Sequence, residues 1–240
     1  MTEYTTDDFL GGLVRLKQEK DGYRATSDAV LLAAAVPARS GQDILDVGCG
    51  NGAACLCLAA RVSDLSLTGI DIQREVGDLA VENAALNNQK FRFIHADIGT
   101  FIPDLHEKTF HHVLTNPPYF TEDPVRRTPQ HALAHKENVP LSQWIEFCLK
   151  HVRPKGTFTV IHRAERLPEI LALLQGKLGG ITVVPFWPKA GVKPKRVLVQ
   201  GTLGTRKPFV LHPGFILHND DNTRTVQTED IMRRGAPLSF

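Results

Sequence analysis

From residue 43 onward, short apolar runs rich in β-branched residues alternate with longer stretches whose apolar positions recur at helical spacing. Asp43 to Val47, Ser66 to Asp71, Phe91 to His95 and His111 to Thr115 read as strands, with further strands near Thr157 to Ile161, Ile181 to Pro185 and Arg196 to Gly201. Helical patterns fall between them at Ala53 to Arg61, Glu75 to Asn87, Leu141 to His151 and Ala164 to Leu178. Such alternation predicts a mostly parallel sheet with helices on both faces, because a parallel connection needs a crossover long enough to hold a helix. The last two strands follow one another without a helix, so an antiparallel hairpin is expected at one edge.

The first forty residues depart from this pattern. A polar lead, Thr5 to Asp8, is followed by Arg15, Lys17, Lys20 and Arg24. Ser27 or Asp28 is then placed to cap a helix starting at Ala29, since either side chain accepts from free amides of a first turn. Residues 1–40 are accordingly read as an amino-terminal extension packed on a main domain of residues 41–240. The stretch from Thr121 to Pro140, rich in Pro, Arg and His, reads as a long loop of the kind that carries function in compact domains.

Composition narrows the classes. With 240 residues, 42% apolar and 22% charged, the chain is long enough for one α/β domain with a buried sheet. The best candidate for a membrane span, Ala29 to Val36, is closed by Pro37 and falls well short of the roughly 18 residues a span needs. The amino terminus carries Glu3, Asp7 and Asp8 rather than a basic-then-apolar leader, so a cytoplasmic, non-membrane protein is expected. Cys49, Cys55, Cys57 and Cys148 lack ligand spacing and are expected as reduced thiols, with no metal. A net charge of +2 does not announce a nucleic-acid binder, so local charge has to decide that question.

The sharpest chemical signal follows the first strand of the alternation. Asp46-Val47-Gly48-Cys49-Gly50-Asn51-Gly52 runs directly into a helical stretch, and closely spaced glycines let a backbone turn tightly against a ligand. The glycines run G-x-G-x-G rather than the G-x-G-x-x-G of dinucleotide sites, with Asp46 ahead of them. A carboxylate there suits an ammonium group better than a pyrophosphate, which points to S-adenosylmethionine. Asp71 ends the next strand, where it can accept from ribose hydroxyls, and Asp97 follows the third, within reach of an adenine amino group. Ile72, beside Asp71, is counted with Gly48, Gly50, Asn51 and Gly52 as cofactor-binding.

After the fourth strand comes Asn116-Pro117-Pro118-Tyr119. Consecutive prolines fix φ and remove two donors, so this peptide presents a rigid set of acceptors. An exocyclic amine is a poor nucleophile because its lone pair is delocalised. If the Asn116 side-chain oxygen and the Pro117 carbonyl each accept one of its N–H groups, the nitrogen is drawn toward tetrahedral geometry. Tyr119, with Phe120, offers a face on which a planar target can stack.

The glycine turn and this tetrapeptide together resemble the class I methyltransferases that modify amino nitrogens. More narrowly, Gly22-Tyr23-Arg24, Ser27 to Leu32, Asp46 to Gly52, Asn116 to Phe120 and Arg196 to Val199 resemble the bacterial tRNA(Val) adenine-37 N6-methyltransferase family. That resemblance implies a Rossmann-like, seven-stranded sheet, S-adenosylmethionine as methyl donor, cofactor contacts at the glycine turn and strand-end acids, and amine recognition by Asn116 to Tyr119. It also implies tRNA as partner. Arg126, Arg127, His131, His135 and Lys136, then Lys189, Lys193, Lys195 and Arg196, then Arg206 and Lys207, form basic stretches able to grip phosphate; of these Arg126, Arg127, Lys193, Lys195 and Arg196 are the candidate RNA contacts. Two other readings compete: glutamine N5-methylation of a protein such as a release factor, and a silent module that binds RNA or a partner.

Overall fold

Strand β3 (Asp43–Val47) has Ile44, Leu45 and Val47 fully buried, as a parallel strand covered on both faces requires. It lies at the centre of a computed structural model that describes residues 3–22, 24–118 and 139–240. Tyr23, Tyr119, Phe120, Arg126, Arg127, His131, His135 and Lys136 fall outside the described residues.

Around β3 stand β4 (Ser66–Asp71), β5 (Phe91–His95), β6 (Phe110–Thr115), β7 (Val152–Arg163), β8 (Leu178–Trp187) and β9 (Arg196–Leu203), in the order β8-β9-β7-β6-β3-β4-β5. Strand β9 is antiparallel to both neighbours, while the other pairs in this row are parallel. The alternation of the sequence is thus realised as a Rossmann-like sheet with an antiparallel β8–β9 hairpin. The strand count differs, because the two-residue strands β10 (Val210–Leu211) and β11 (Phe215–Ile216) both join the outer edge of β8 and bring the sheet to nine. Two residues carry no period, so no pattern reveals them.

Helix α2 (Ala53–Arg61) follows β3, α3 (Arg74–Leu86) follows β4, and α4 (Leu141–Lys150) with α5 (Leu167–Leu174) flank β7. Period-two alternation sends successive strand residues to opposite faces. Ile44, Leu114 and Leu198 share an apolar cluster with α1 and α2, whereas Leu45, Val113, Val197 and Val199 share one with α4 and α5. The helix expected from Ala164 to Leu178 is shorter than its pattern. One 3-10 turn precedes α5, Gly176 at φ 74 ends it, and Leu178 pairs with Leu203 in β8.

The amino-terminal residues are more structured than a polar lead. Strands β1 (Tyr4–Phe9) and β2 (Val14–Glu19) form a separate antiparallel hairpin. In β2 the buried Val14, Leu16 and Gln18 alternate with basic residues, a strand signal masked by the charges. Helix α1 (Ser27–Ala35) is capped neither by Ser27 nor by Asp28. Thr26 Oγ1 accepts from Asp28 N at 3.3 Å, and the Asp28 carboxylate turns inward to accept from Arg196 Nε at 2.8 Å. At the other end of α1, Arg61 donates to the carbonyls of Ala33 and Val36 at 3.1 and 2.6 Å, which satisfies acceptors a helix terminus leaves open. A carboxy-terminal helix α6 (Val226–Arg234), capped by Thr225 and ended by Gly235 at φ 65, packs on α1.

Candidate active site

Strands β3 and β4 run in register to their carboxyl ends, with Val47 opposite Ile70. The chain then turns back, and Gly48 N and Cys49 N both donate to Ile70 O at 2.8 and 3.0 Å. Gly48, Gly50 and Gly52 have φ of 73°, 53° and 82°, left-handed values that glycine reaches without the Cβ penalty. At Gly48 a second constraint applies, since a Cβ there would stand 2.8 Å from Trp144 Cζ2. Gly48→Ala is therefore expected to displace the indole and cost about 2 kcal/mol or more of stability, read as a lower Tm together with weakened S-adenosylmethionine binding by calorimetry. An unchanged Tm and affinity would mean that the turn is looser than its contacts imply.

Asp71, half-buried at the end of β4, holds the turn from the side. Its Oδ2 accepts from Gly50 N and its Oδ1 from Gln73 N, each at 2.9 Å. Burial raises its carboxyl above the ordinary range, against the pull of these backbone donors. Asp46 lies deeper, 2% exposed, and its Oδ2 has no hydrogen-bond partner within the protein. Burial pushes its carboxyl up to about 7, the charge of Asp71 adds to the rise, and the Cys55 thiol draws it partly back. An isolated buried carboxylate is costly unless a cation meets it. His95 donates through Nε2 to Ile72 O at 2.9 Å, and beyond β5 Asp97 Oδ1 accepts from Gly99 N at 2.7 Å, tightening that loop around its carboxylate.

Asn116, Pro117 and Pro118 leave the end of β6. Thr115, the last residue of that strand, is paired with Val47, so the first residue of the tetrapeptide and the first glycine of the turn directly follow paired residues of neighbouring strands. Asn116 is half-buried, Pro117 buried and Pro118 exposed. Thr115 fastens the junction, since its hydroxyl donates to Val47 O at 2.7 Å and accepts from Trp144 Nε1 at 2.8 Å. Trp144 thus joins α4, β6 and the glycine turn. A lone tryptophan on a helix face carries no motif, so the sequence does not mark it, although a covered indole N–H usually finds an acceptor.

The structure brings Asp46, the turn glycines, Asn51, Asp71, Ile72, Asp97 and Asn116 to Pro118 to the carboxyl ends of four adjacent strands, β5, β4, β3 and β6. Ligands of open α/β sheets bind in such a crevice. The basic stretches separate. The loop of residues 188–195 joins β8 to β9 at this same end and carries Lys193 and Lys195 exposed, whereas Lys189 Nζ donates to Asp220 O and Arg196 is engaged with Asp28. Arg206 and Lys207 follow β9 at the opposite end of the sheet. All four cysteines are free and buried, and burial raises each thiol above its ordinary value. Among the described residues no group of His, Cys, Asp and Glu can hold a metal, and no helix is long and apolar enough to cross a membrane.

This sheet, with a glycine turn and strand-end acids at one edge, defines a methyltransferase. A family model of the methyltransferase small domain matches residues 25–184, and the chain belongs to that family. S-adenosylmethionine is its cofactor. The residues present fit that molecule, because a buried carboxylate oxygen without a partner meets the need of an ammonium group. Among relatives, a protein of Glaesserella parasuis named tRNA1(Val) (adenine(37)-N6)-methyltransferase is 26% identical over 181 residues, 73% of this chain and 75% of its own. One of the same name from a Flavobacteriaceae bacterium is 27% identical over 188 residues, 77% and 79% of the two chains. Among solved structures, a predicted O-methyltransferase of Agrobacterium tumefaciens superposes with a TM-score of 0.72 at 25% identity, covering 89% of this chain and 99% of that one. An S-adenosylmethionine-dependent O-methyltransferase of Thermotoga maritima gives 0.55 at 20% identity, covering 78% and 69%.

Proposed function

We propose that this methyltransferase acts on the exocyclic N6 amine of an adenine in RNA, and that its target is adenine-37 in the anticodon loop of a tRNA(Val). The observation that carries the reading is the emergence of Asn116-Pro117-Pro118 from β6 beside the glycine turn of β3. S-adenosylmethionine held there would supply an electrophilic methyl group. Asp46 would meet its ammonium group, Asp71 its ribose hydroxyls and Asp97 its adenine, with the turn of Gly48 to Gly52 between them. The Asn116 carboxamide oxygen and the Pro117 carbonyl accept the two N–H groups of the target amine and steer its lone pair. As positive charge develops on that nitrogen, both acceptors stabilise it without having to reorganise. Tyr119 stacks on the base. No strong base is needed, because a methylated anilinium-like nitrogen gives up its proton to water.

The names of the relatives support an RNA target, and so does the position of Lys193 and Lys195 at the site's end of the sheet. A base in an anticodon loop has to be splayed out and held, which calls for phosphate contacts around the pocket. The double variant Lys193→Ala/Lys195→Ala should weaken tRNA binding and make log Kd against log salt shallower by about two contacts, with S-adenosylmethionine affinity unchanged. An unaltered salt slope would remove this loop from the RNA interface.

The decisive measurement is transfer of labelled methyl from S-adenosylmethionine to total tRNA of a strain lacking this protein, beside ribosomal RNA and release factors. Label that digests to N6-methyladenosine from tRNA, absent with Asn116→Ala, supports the proposal. Label on protein glutamine moves the target to a polypeptide, and cofactor binding without transfer leaves only a silent module.

A further inference from the structure

Gln18 is a polar side chain 2% exposed on an otherwise apolar face of β2, distant in sequence from the glycine turn. Its orientation is fixed by two unlike partners. Nε2 donates to Asp7 Oδ2 at 2.6 Å, which must meet a donor, and Oε1 accepts from Ala25 N at 2.7 Å, which must meet an acceptor. Asp7 is in turn fixed by Arg24, whose guanidinium donates to the same carboxylate oxygen at 2.7 Å. The Gln18 carboxamide therefore cannot flip. With its oxygen committed to that side, Gln18 Oε1 also accepts from Asn51 Nδ2 at 3.2 Å, so Asn51 is oriented as well: its nitrogen faces the hairpin and its oxygen faces elsewhere. Asn51 is 1% exposed, stands between Gly50 and Gly52, and its Oδ1 has no partner within the protein. It shares that condition with Asp46 Oδ2 at the start of the same segment.

The hairpin itself is held by a different set of contacts. Along α3, Asn83 and Asn87 stand one turn apart and each reads one peptide of β2 as a neighbouring strand would. Asn83 accepts from Lys17 N at 2.7 Å and donates to Lys17 O at 3.0 Å; Asn87 accepts from Arg15 N at 2.9 Å and donates to Arg15 O at 2.7 Å. Asn83 also donates to Asn51 O at 3.1 Å, whereas Asn87 donates back to Asn83 O at 2.7 Å. Docking and orientation are therefore separable at Asn87 and Gln18.

We propose that Gln18 is a positioning residue of the cofactor site: through the relay Arg24–Asp7–Gln18–Asn51 the amino-terminal hairpin sets the Asn51 carboxamide with its oxygen presented as an acceptor to the ammonium-bearing end of S-adenosylmethionine. This rests on the assignment of the glycine turn to that cofactor. A buried carboxamide oxygen left without a donor is destabilising, and it persists where a bound molecule satisfies it. Asn51 and Asp46 then share one donor-rich group, the amide by hydrogen bonding and the carboxylate by charge.

The test compares Gln18→Met, which keeps length and apolar packing, with Asn87→Ala, which weakens docking alone. S-adenosylmethionine and S-adenosylhomocysteine are titrated calorimetrically into each purified full-length protein. The proposal expects Gln18→Met to raise the Kd for both about tenfold, as one lost buried hydrogen bond does, and to raise the cofactor KM in step with little change in kcat. Asn87→Ala lowers Tm and leaves both Kd values in place. In a double-mutant cycle, Asn51→Ala adds little once Gln18 is Met. Equal Kd shifts in Gln18→Met and Asn87→Ala, no shift in Gln18→Met, or full additivity with Asn51→Ala would each overturn it. If Gln18→Met does not fold, Asp7→Ala removes the same orientation from a half-exposed position and must give the same Kd shift. Failure of the wild-type protein to bind either ligand, with Asp46→Asn behaving identically, would instead count against the cofactor assignment itself.

Discussion

Asn116→Ala is expected to lower methyl transfer by a hundred- to a thousandfold while S-adenosylmethionine binds as before. The magnitude follows from the loss of one preorganised group at the point where charge develops in the transition state. The split follows from the register. Asn116 leaves β6 beyond Thr115, and the contacts that hold the turn of Gly48 to Gly52 run to Ile70 O, Asp71 and Thr115. Asn116→Asp keeps a side-chain acceptor in place and should retain more activity than Asn116→Ala. Single-turnover rates with saturating cofactor, together with calorimetric affinity for S-adenosylhomocysteine, measure both quantities. A variant that loses binding and turnover in equal proportion would place Asn116 in the cofactor pocket rather than at the acceptor amine.

The parts of this molecule most legible in the sequence are those where one rule acts alone. Strands β3, β4 and β5 have the limits read from the sequence; β3 and β4, with strands on either side, are apolar on both faces, while β5 at the edge keeps only its own run, Phe91 to His95. The clustering of the candidate site has a simple origin: Asp46, Asp71, Asp97 and Asn116 are read as strand-end residues, and parallel pairing lines strand ends up. What escaped depends on contacts distant in sequence. Trp144 joins the site because its indole finds Thr115, and Gln18 because its carboxamide finds Asn51, pairings that no local period encodes. The stretch Ser27-Asp28 and the stretch beginning at Arg196 are both part of the family resemblance, and the fold gives a physical reason for their association. An ion pair between the buried Asp28 and the half-buried Arg196 ties the start of α1 to the antiparallel strand.

Asp46→Asn is expected to stabilise the unliganded protein and to abolish most of its cofactor affinity, two effects of opposite sign from one missing charge. The Asp46 carboxyl titrates at about 7 in the folded chain and near 4 when unfolded, so between those values the folded state holds the extra proton. Stability then falls as pH rises through that window, by at most about 4 kcal/mol for a shift of roughly three units. At pH 8 the wild-type protein bears the whole of this penalty, whereas the carboxamide bears none. The Tm of Asp46→Asn should therefore exceed that of the wild type at pH 8 by several degrees, and the difference should close toward pH 4. Binding runs the other way. An ammonium group meets an ionised Asp46, so the wild-type Kd for S-adenosylmethionine should rise up to tenfold per unit as pH falls below about 7, while the variant binds at least a hundredfold more weakly at pH 8 with little pH dependence. Thermal unfolding with and without ligand across pH 5 to 8 gives both profiles. A destabilised Asp46→Asn that still binds would mean that the carboxylate holds the turn together, and that the partnerless oxygen is not the seat of the cofactor's charge.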